Sequence, residues 1–315
     1  RGPWSEAPLP VERRRADGAC VGNVEREDVS GTMFSFVEDL SVNPLLWCGL
    51  LAGLASGVAC GVVGPYVVTR RIVFLSGAIS HTSIGGLGAA VWLSTAYPVA
   101  FGWLSPMVGL TIAAVLSAIL LAVIRHYIHE RLDTLIGALW ALGMSIGILF
   151  LKFTPGYQVE LTTYLFGNIA CVGPGDVWRC VVLDAVILTV AMAFHKQLLA
   201  TALDREYLST QGIPVLATET LLLSMVALTV IQLTQIVGMI LVIALLSLPA
   251  ATVAPYVKRM RTFFLTTTLL CVTLTTLPRM MVYGTAINPE SAIVIASGLV
   301  YLISTTARAI WLRRK

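Results

Sequence analysis

The sequence predicts an all-α fold: a polytopic transmembrane helical bundle of eight or nine helices. Hydrophobic residues make up 57% of the 315-residue chain and charged residues only 12%, and the mean hydropathy is +0.84. A soluble domain carries roughly 25% charged residues, so lipid must cover much of this protein's surface. From residue 43 onward, apolar runs follow one another. Each is close to the roughly 20 residues that cross the hydrocarbon core as a helix.

The apolar runs define nine candidate spans, at 45–69, 73–97, 104–125, 134–153, 177–196, 217–235, 236–255, 263–283 and 289–309. The division between the sixth and seventh runs is weak, because only Gln232, Thr234 and Gln235 interrupt them. The count is eight if these two runs fuse or if one run is re-entrant.

Two segments depart from this pattern. Residues 1–42 form a polar N-terminal extension with eight acidic residues and five arginines. This extension lacks the apolar run of a signal peptide, and it is either mobile or lies upstream of the true start. Residues 43–315 are the transmembrane domain. Within that domain, 154–176 holds an apolar stretch of only about 10 residues, which is too short to span and predicts a re-entrant or interfacial helix on the outer side.

The basic residues predict the orientation of the bundle. Thirteen Lys and Arg residues lie in one set of connections, whereas the opposite set holds only Lys152, Arg179 and Arg279. Short loops rich in Lys and Arg face the cytoplasm, so the first set is cytoplasmic. The C-terminus is then cytoplasmic, and nine spans place the N-terminus outside.

Motifs of enzymatic chemistry are missing. The sequence has no GxxxxGK[ST] phosphate loop and no HExxH, and its one match to GxSxG, at 143–147, lies inside the apolar run 134–153. None of the six cysteines forms a CxxC pair, so we interpret them as small core residues. The chain is therefore predicted not to be an enzyme, with no covalently bound cofactor and no nucleic-acid partner. If ATP drives it, another subunit must hydrolyse the ATP.

The most informative segment is 64–88, with the sequence GPYVVTRRIVFLSGAISHTSIGGLG. Gly77, His81 and Gly85 are spaced four residues apart and share one helix face. An ionisable residue inside a membrane usually faces a cavity or a partner, and imidazole is a ligand for zinc, manganese or iron. The alternative is a core histidine that is hydrogen-bonded to a helix carbonyl. Gly85, Gly86 and Gly88 allow close helix packing.

Two further segments carry local signals. In DREYLSTQGIP, Asp204 can cap a short cytoplasmic helix and Gly212 can end it, which predicts either a docking element or an ordinary solvated loop. In 237–254, Pro249 favours a kink in an apolar helix, and packing alone explains that segment. Asp184 and Glu219 are interpreted as acids near helix N-termini, where the macrodipole stabilises negative charge.

Four segments in this order resemble the permease family of ATP-binding-cassette importers for zinc, manganese and iron. They are 67–88, the YLFGNI of 164–169, the cytoplasmic Asp204, Glu206 and Gly212, and the VGMILVIALLSLPAATVA of 237–254. The resemblance covers roughly residues 43–310. Each motif is weak alone, whereas their ordered combination is specific.

The resemblance implies a transport subunit in a bacterial cytoplasmic (inner) membrane. Two permease subunits, identical or related, would form the pathway for the ion. Cytoplasmic ABC ATPase subunits would bind ATP and dock on a coupling helix near 204–212. A periplasmic or surface-anchored metal-binding protein would deliver the ion. His81 would lie on the pathway helix.

One position departs from the family pattern and bears on the metal. Many members, particularly manganese-type ones, have an aspartate four residues before the histidine, where this chain has Gly77. Zinc accepts nitrogen-rich coordination more readily than manganese, so Zn²⁺ is favoured over Mn²⁺ as the transported ion. Glu160 is a candidate carboxylate at the outer entrance, or else an exposed interfacial acid.

Two other functions remain open from the sequence. A permease for iron chelates or cobalamin usually has ten helices, which exceeds the predicted count. A secondary metal transporter driven by an ion gradient usually carries more intramembrane carboxylates and an internal repeat, and we find no convincing repeat.

Overall fold

The computed structural model describes residues 36, 38–40, 43–127, 132–154, 167, 172–203, 211–285 and 287–313. Eleven helices organise residues 43–313 of this part of the chain. They are α1 (Pro44–Thr69), α2 (Val73–Ala96), α3 (Pro98–Phe101), α4 (Pro106–Tyr127), α5 (Leu132–Phe153), α6 (Pro174–Ala193), α7 (His195–Leu203), α8 (Val215–Ile236), α9 (Met239–Val253), α10 (Met260–Met281) and α11 (Pro289–Arg313). The prediction of an all-α membrane bundle is confirmed.

Six of these helices are long and apolar enough to cross a membrane: α1, α4, α5 from Thr134, α8, α10 and α11. The pair α6 and α7 is bent by 74° and raises the number to seven if it counts as one span. The six or seven spans found here are fewer than the eight or nine predicted from the sequence, for two reasons. The first is that α9 is only 15 residues long. The 24-residue α2 is long enough but too polar, since it carries His81 and several serines.

Local capping explains where several helices begin. Asn43 accepts a hydrogen bond from the Leu45 N–H at 3.1 Å, and Pro44 occupies the first position of α1. Asp176 in the first turn of α6 accepts from the Gly173 N–H at 3.1 Å. A proline at the first helical position has the required backbone angle and leaves no helical hydrogen bond unmade. Proline also opens α4 and α11.

The predicted re-entrant helix in 154–176 lies mostly outside the described residues. Within that range, Gly167 has φ +71° and lies against the backbone of Val237 and Gly238, where α8 turns into α9. Gly238 has φ +81°, a conformation that glycine adopts without steric cost. Two glycine backbones therefore meet at the end of α8.

The interior is built around α1, α2, α8 and α9, whose buried residues include Tyr66, Ile79, Leu222 and Leu246. α5 and α11 lie outside and expose many of their large apolar side chains. In a chain that spans a membrane, such exposed faces contact lipid or another subunit. The polar α2 is thus shielded by more apolar neighbours.

Glycines allow α2 to lie directly against α4 and α5. A β-carbon at Gly86 would overlap the carbonyl oxygen of Gly109 in α4, and one at Gly88 would overlap that of Gly147 in α5. A β-carbon at Gly85 would lie 2.9 Å from the carbonyl oxygen of Gly143. Such contacts bring helix backbones as close as small-residue interfaces in membranes permit.

Gly86→Ala is expected to lower the free energy of unfolding by about 1–3 kcal/mol, because the added methyl group forces α2 away from α4. Thermal unfolding of the detergent-solubilised protein measures the loss. Gly298→Ala in α11 is the matched control, since nothing lies within 4 Å of a β-carbon there. Equal melting temperatures for the two variants would contradict the close approach.

Candidate functional site

His81 lies in the middle of α2 and stacks on the indole of Trp140 in α5. The two ring centroids are 4.4 Å apart and the ring planes are 18° from parallel. The Nδ1 atom is buried and has no hydrogen-bond partner among the described residues. The hydrogen bond to a helix carbonyl that a purely structural histidine would make is therefore absent at Nδ1.

Gly77 lies one turn before His81 and is covered by the same tryptophan. A β-carbon at Gly77 would lie 3.1 Å from Cζ3 of Trp140 and 3.0 Å from Cδ1 of Ile243 in α9. A carboxylate side chain at this position would have to displace both neighbours. Trp140 thus contacts both residues, and no motif in the sequence pointed to it.

Hydroxyl groups surround this part of α2. The Ser80 and Thr234 hydroxyls are 3.3 Å apart and join α2 to α8. Thr82 donates to the Leu139 carbonyl of α5 at 3.1 Å, and Ser83 donates to the Ser80 carbonyl at 2.6 Å. Around residues 77–83, α2 therefore meets three other helices, α5, α8 and α9. The side chains there offer one imidazole and several weak oxygen donors.

Among the described residues, no group of three or more His, Cys, Asp or Glu side chains is arranged to hold a metal ion. The His81 region is accordingly a single-ligand position within these helices. A transported ion needs weak contacts that it can leave as well as enter. Glu160, the predicted carboxylate at the entrance, lies outside the described residues.

A buried ionic cluster joins α1, α4 and α8 at one end of the bundle. The Glu219 Oε1 atom is 2.9 Å from Nη2 of Arg70 and 3.0 Å from Nη1 of Arg125. The side chains of Arg70 and Glu219 are 6% and 1% exposed, and that of Arg125 is 17% exposed. Arg70 also donates through Nη1 to the Thr201 carbonyl of α7. We call these three charged residues the Arg–Glu cluster.

The sequence interpretation of Glu219 was incomplete. Macrodipole stabilisation is strongest in the first turn, and Glu219 is the fifth residue of α8. A carboxylate buried at this depth requires paired charges, which the two arginines provide. The three residues are far apart in sequence, so no local pattern could have grouped them.

The Arg–Glu cluster holds both flanks of the predicted coupling segment. Thr201 precedes this segment and Glu219 follows it, and Arg70 contacts both. Asp204 and Glu206 lie outside the described residues. Gly212 is described: it is exposed and has φ +70°, and no atom lies within 4 Å of a β-carbon built there. Its backbone conformation fits the predicted role of ending a short helix before Pro214.

Asp184 is a second acid that the sequence interpretation misplaced. It lies in the middle of α6 rather than near its start, and its Oδ1 accepts from Nε2 of Gln232 in α8 at 2.9 Å. Both side chains are buried. The hydrogen bond joins α6 to α8 and satisfies one oxygen of a buried carboxylate.

The comparisons with known proteins place these features in a family. The family model described as the ABC 3 transport family matches residues 43–308. A probable metal transport system membrane protein of Chlamydia trachomatis is 31% identical over 83% of this chain and 88% of its own. The manganese import system permease protein ScaB of Streptococcus gordonii is 28% identical over 85% of this chain and 93% of its own.

A solved structure gives the same answer at the level of the fold. PsaBC from Streptococcus pneumoniae, determined in complex with Fab, superposes with a TM-score of 0.73 at 27% sequence identity. The match covers 86% of this chain and 94% of the PsaBC chain. The resemblance drawn from the sequence motifs is thus confirmed: the chain belongs to the ABC 3 transport family, the membrane permeases of ATP-binding-cassette metal importers.

Proposed function

We propose that this chain is the permease subunit of an ATP-driven importer of transition-metal ions, and that zinc is preferred over manganese or iron. The observation that carries the proposal is His81, an imidazole with a buried, unbonded Nδ1 on a helix that packs against α4, α5, α8 and α9. Trp140 and Ile243 occupy the space beside Gly77, so α2 offers the ion nitrogen without an adjacent carboxylate. Imidazole suits zinc, whereas manganese favours carboxylates and other oxygen ligands.

The proposed topology has eight or nine membrane crossings, with the C-terminus in the cytoplasm of a bacterium. In this topology, α2, α6 and α9 also cross the membrane, in addition to the six apolar spans. An α-helix rises 1.5 Å per residue, so the 24 residues of α2 reach about 36 Å. The 15 residues of α9 reach only about 22 Å, and its buried position among other helices supports the shorter span.

The proposed assembly contains three kinds of partner. A second permease subunit completes the pathway, and cytoplasmic ABC ATPases bind ATP. A periplasmic or surface-anchored protein delivers the ion. The ATPases would dock at 204–212, and the Arg–Glu cluster would pass their movement to α1 and α4. Support comes from Arg70, whose side chain contacts both flanks of that segment.

Uptake of labelled zinc and manganese into proteoliposomes tests the proposal. The vesicles contain the permease and its ATPase, with ATP inside and the binding protein outside. We expect uptake that requires all three components and that is faster for zinc. Uptake without ATP that follows a proton or sodium gradient would instead identify a secondary transporter. Faster uptake of manganese than of zinc would contradict the preference for zinc that is inferred from Gly77.

Gly212→Pro is expected to uncouple the ATPase from the permease, reducing metal-stimulated ATP hydrolysis to the unstimulated rate. Proline fixes φ near −65°, which is incompatible with the φ of +70° at this position. Hydrolysis by the reconstituted complex, with and without the loaded binding protein, measures the change. Gly175→Ala, at an exposed position with open space around it, is the control. Normal stimulation in Gly212→Pro would remove the docking role of this segment.

A further inference from the structure

The connection between α1 and α2 holds an arginine where glycine is the usual residue. The Ile72 N–H donates to the Val67 carbonyl and the Arg71 N–H to the Val68 carbonyl, each at 3.1 Å. These paired bonds are those of a Schellman motif, which places its penultimate residue in the left-handed region. Arg71 is that residue, with φ +57°, and it is the only non-glycine with positive φ in the described part of the chain.

An arginine at such a position strains the backbone, because its β-carbon approaches the following carbonyl oxygen. Glycine or asparagine would give the same turn with less strain. The Arg71 side chain is exposed, and its strained position makes it a candidate for a contact with a ligand. The guanidinium forms no ion pair or hydrogen bond with the side chains that the structure describes, so such a contact lies outside the described ones.

Arg71, in the connection between α1 and α2, lines a cavity of about 50 Å³ whose other walls come from Ile72 and from α2, α4, α5 and α8. Arg125 of the Arg–Glu cluster lies on another wall of the same cavity. The remaining walls are apolar and consist of Ile72, Phe74, Leu75, Leu121, Ile136 and Leu223. Phe74 is 67% exposed, so the apolar wall continues onto the outer surface of the bundle.

The charges around the cavity favour an anion. Among the residues that the structure describes, Arg70, Arg71 and Arg125 lie at this end of the bundle, and Glu219 pairs with two of them. Arginine binds phosphate through several N–H donors at once, and positive charge repels the transported cation. A ligand with a phosphate beside Arg71 and an apolar chain along Phe74 would fit both the basic and the apolar walls of the cavity.

We propose that this cavity binds the phosphate of an anionic phospholipid, with Arg71 as the main contact and Arg125 as a second positive charge. The acyl chains would lie along Phe74 on the lipid-facing surface. The proposal rests on one part of the proposed function, the orientation that places this end in the cytoplasmic leaflet. Anionic lipids give that leaflet its negative surface potential.

The test is lipid binding by the purified permease in detergent, measured by native mass spectrometry and by thermal unfolding. Phosphatidylglycerol is expected to bind and to raise the melting temperature, whereas phosphatidylethanolamine is not. Arg71→Gly should weaken phosphatidylglycerol binding about fivefold, the effect of one basic residue at the membrane surface. Without lipid it should melt at or above the wild-type temperature, since glycine relieves the strained turn.

Two further variants sharpen the test. Arg71→Asn also tolerates the left-handed conformation and should lose binding to the same extent. Arg261→Ala removes an exposed arginine elsewhere on the predicted cytoplasmic side and should leave binding within about twofold of wild type.

Three results would overturn the proposal: equal binding of the two lipids, unchanged binding in both Arg71 variants, or full displacement of phosphatidylglycerol by millimolar inorganic phosphate. The last would identify a site for free phosphate. None of these measurements requires metal transport, so a failed uptake assay would not contradict the lipid-binding result. Lost lipid binding would likewise leave the metal preference unaffected.

Discussion

Glu219→Ala is expected to lower the free energy of unfolding by about 3–5 kcal/mol and to abolish ATP-driven uptake. Glu219 is 1% exposed and pairs with both Arg70 and Arg125. Its removal takes away the carboxylate that contacts both guanidinium groups, and removing one partner of a buried ion pair is strongly destabilising. Chemical denaturation of the detergent-solubilised protein measures the loss in stability.

Arg179→Ala is the matched control for this experiment. Arg179 pairs with Asp176 one turn away on the same helix, and both side chains are largely exposed. Exposed pairs of this kind contribute at most about 1 kcal/mol. If Glu219→Ala and Arg179→Ala lower the free energy of unfolding by the same amount, the Arg–Glu cluster does not stabilise the bundle.

A third variant separates stability from coupling. Replacing the whole Arg–Glu cluster with Met at 70 and 125 and Leu at 219 removes its three charges together. Such replacements are often neutral or stabilising. We expect this variant to fold but not to couple ATP hydrolysis to metal uptake. Met at position 70 cannot donate a hydrogen bond to the Thr201 carbonyl beside the coupling segment. Normal uptake by this variant would show that the contacts of Arg70 serve only folding.

His81→Ala is expected to reduce metal uptake at limiting concentration by about tenfold or more while assembly stays intact. The loss of even a supporting partner of a metal ligand typically costs 10–100-fold in affinity or activity, and the imidazole is proposed to contact the ion directly. The reduction should shrink at saturating metal, because a weakened binding step raises the half-saturating concentration. Initial rates of labelled zinc uptake over a range of concentrations measure both effects.

His126→Ala is the control for the loss of an imidazole. His126 is exposed in the last turn of α4. We expect this variant to transport zinc at the wild-type rate. Unchanged uptake in His81→Ala at limiting zinc would exclude the histidine from the pathway.

Most helix positions were predictable because membrane spans are long and uniformly apolar. The predicted runs 104–125 and 263–283 correspond to Pro106–Tyr127 and Met260–Met281. The weakly divided run 217–255 is indeed broken, at Gly238 with φ +81°. Hydropathy did not reveal that the run 177–196 ends early, at Ala193, and is followed by a bend of 74° into α7. A bend depends on tertiary contacts, such as the one between Tyr66 and His195 at 2.9 Å.

The surroundings of the proposed site at His81 could not be predicted from the sequence. The motif around His81 identified the helix, but the stacked Trp140 lies 59 residues later in a run that reads as an ordinary span. Glu219 and its two arginines are similarly distant from one another in sequence. Local propensity and periodicity report only neighbours within a few turns, whereas these contacts arise from how whole helices pack.

The stacking of Trp140 on His81 also gives the protein an internal optical reporter. Indole emission responds to charge and to heavy or paramagnetic ions nearby, and this indole lies 4.4 Å from the imidazole, centroid to centroid. If an ion contacts His81 as proposed, it would change the emission of Trp140, one of the seven tryptophans of the chain, before transport is complete. Zinc, which is diamagnetic, and manganese, which is paramagnetic, would leave different signatures in the emission of the same side chain.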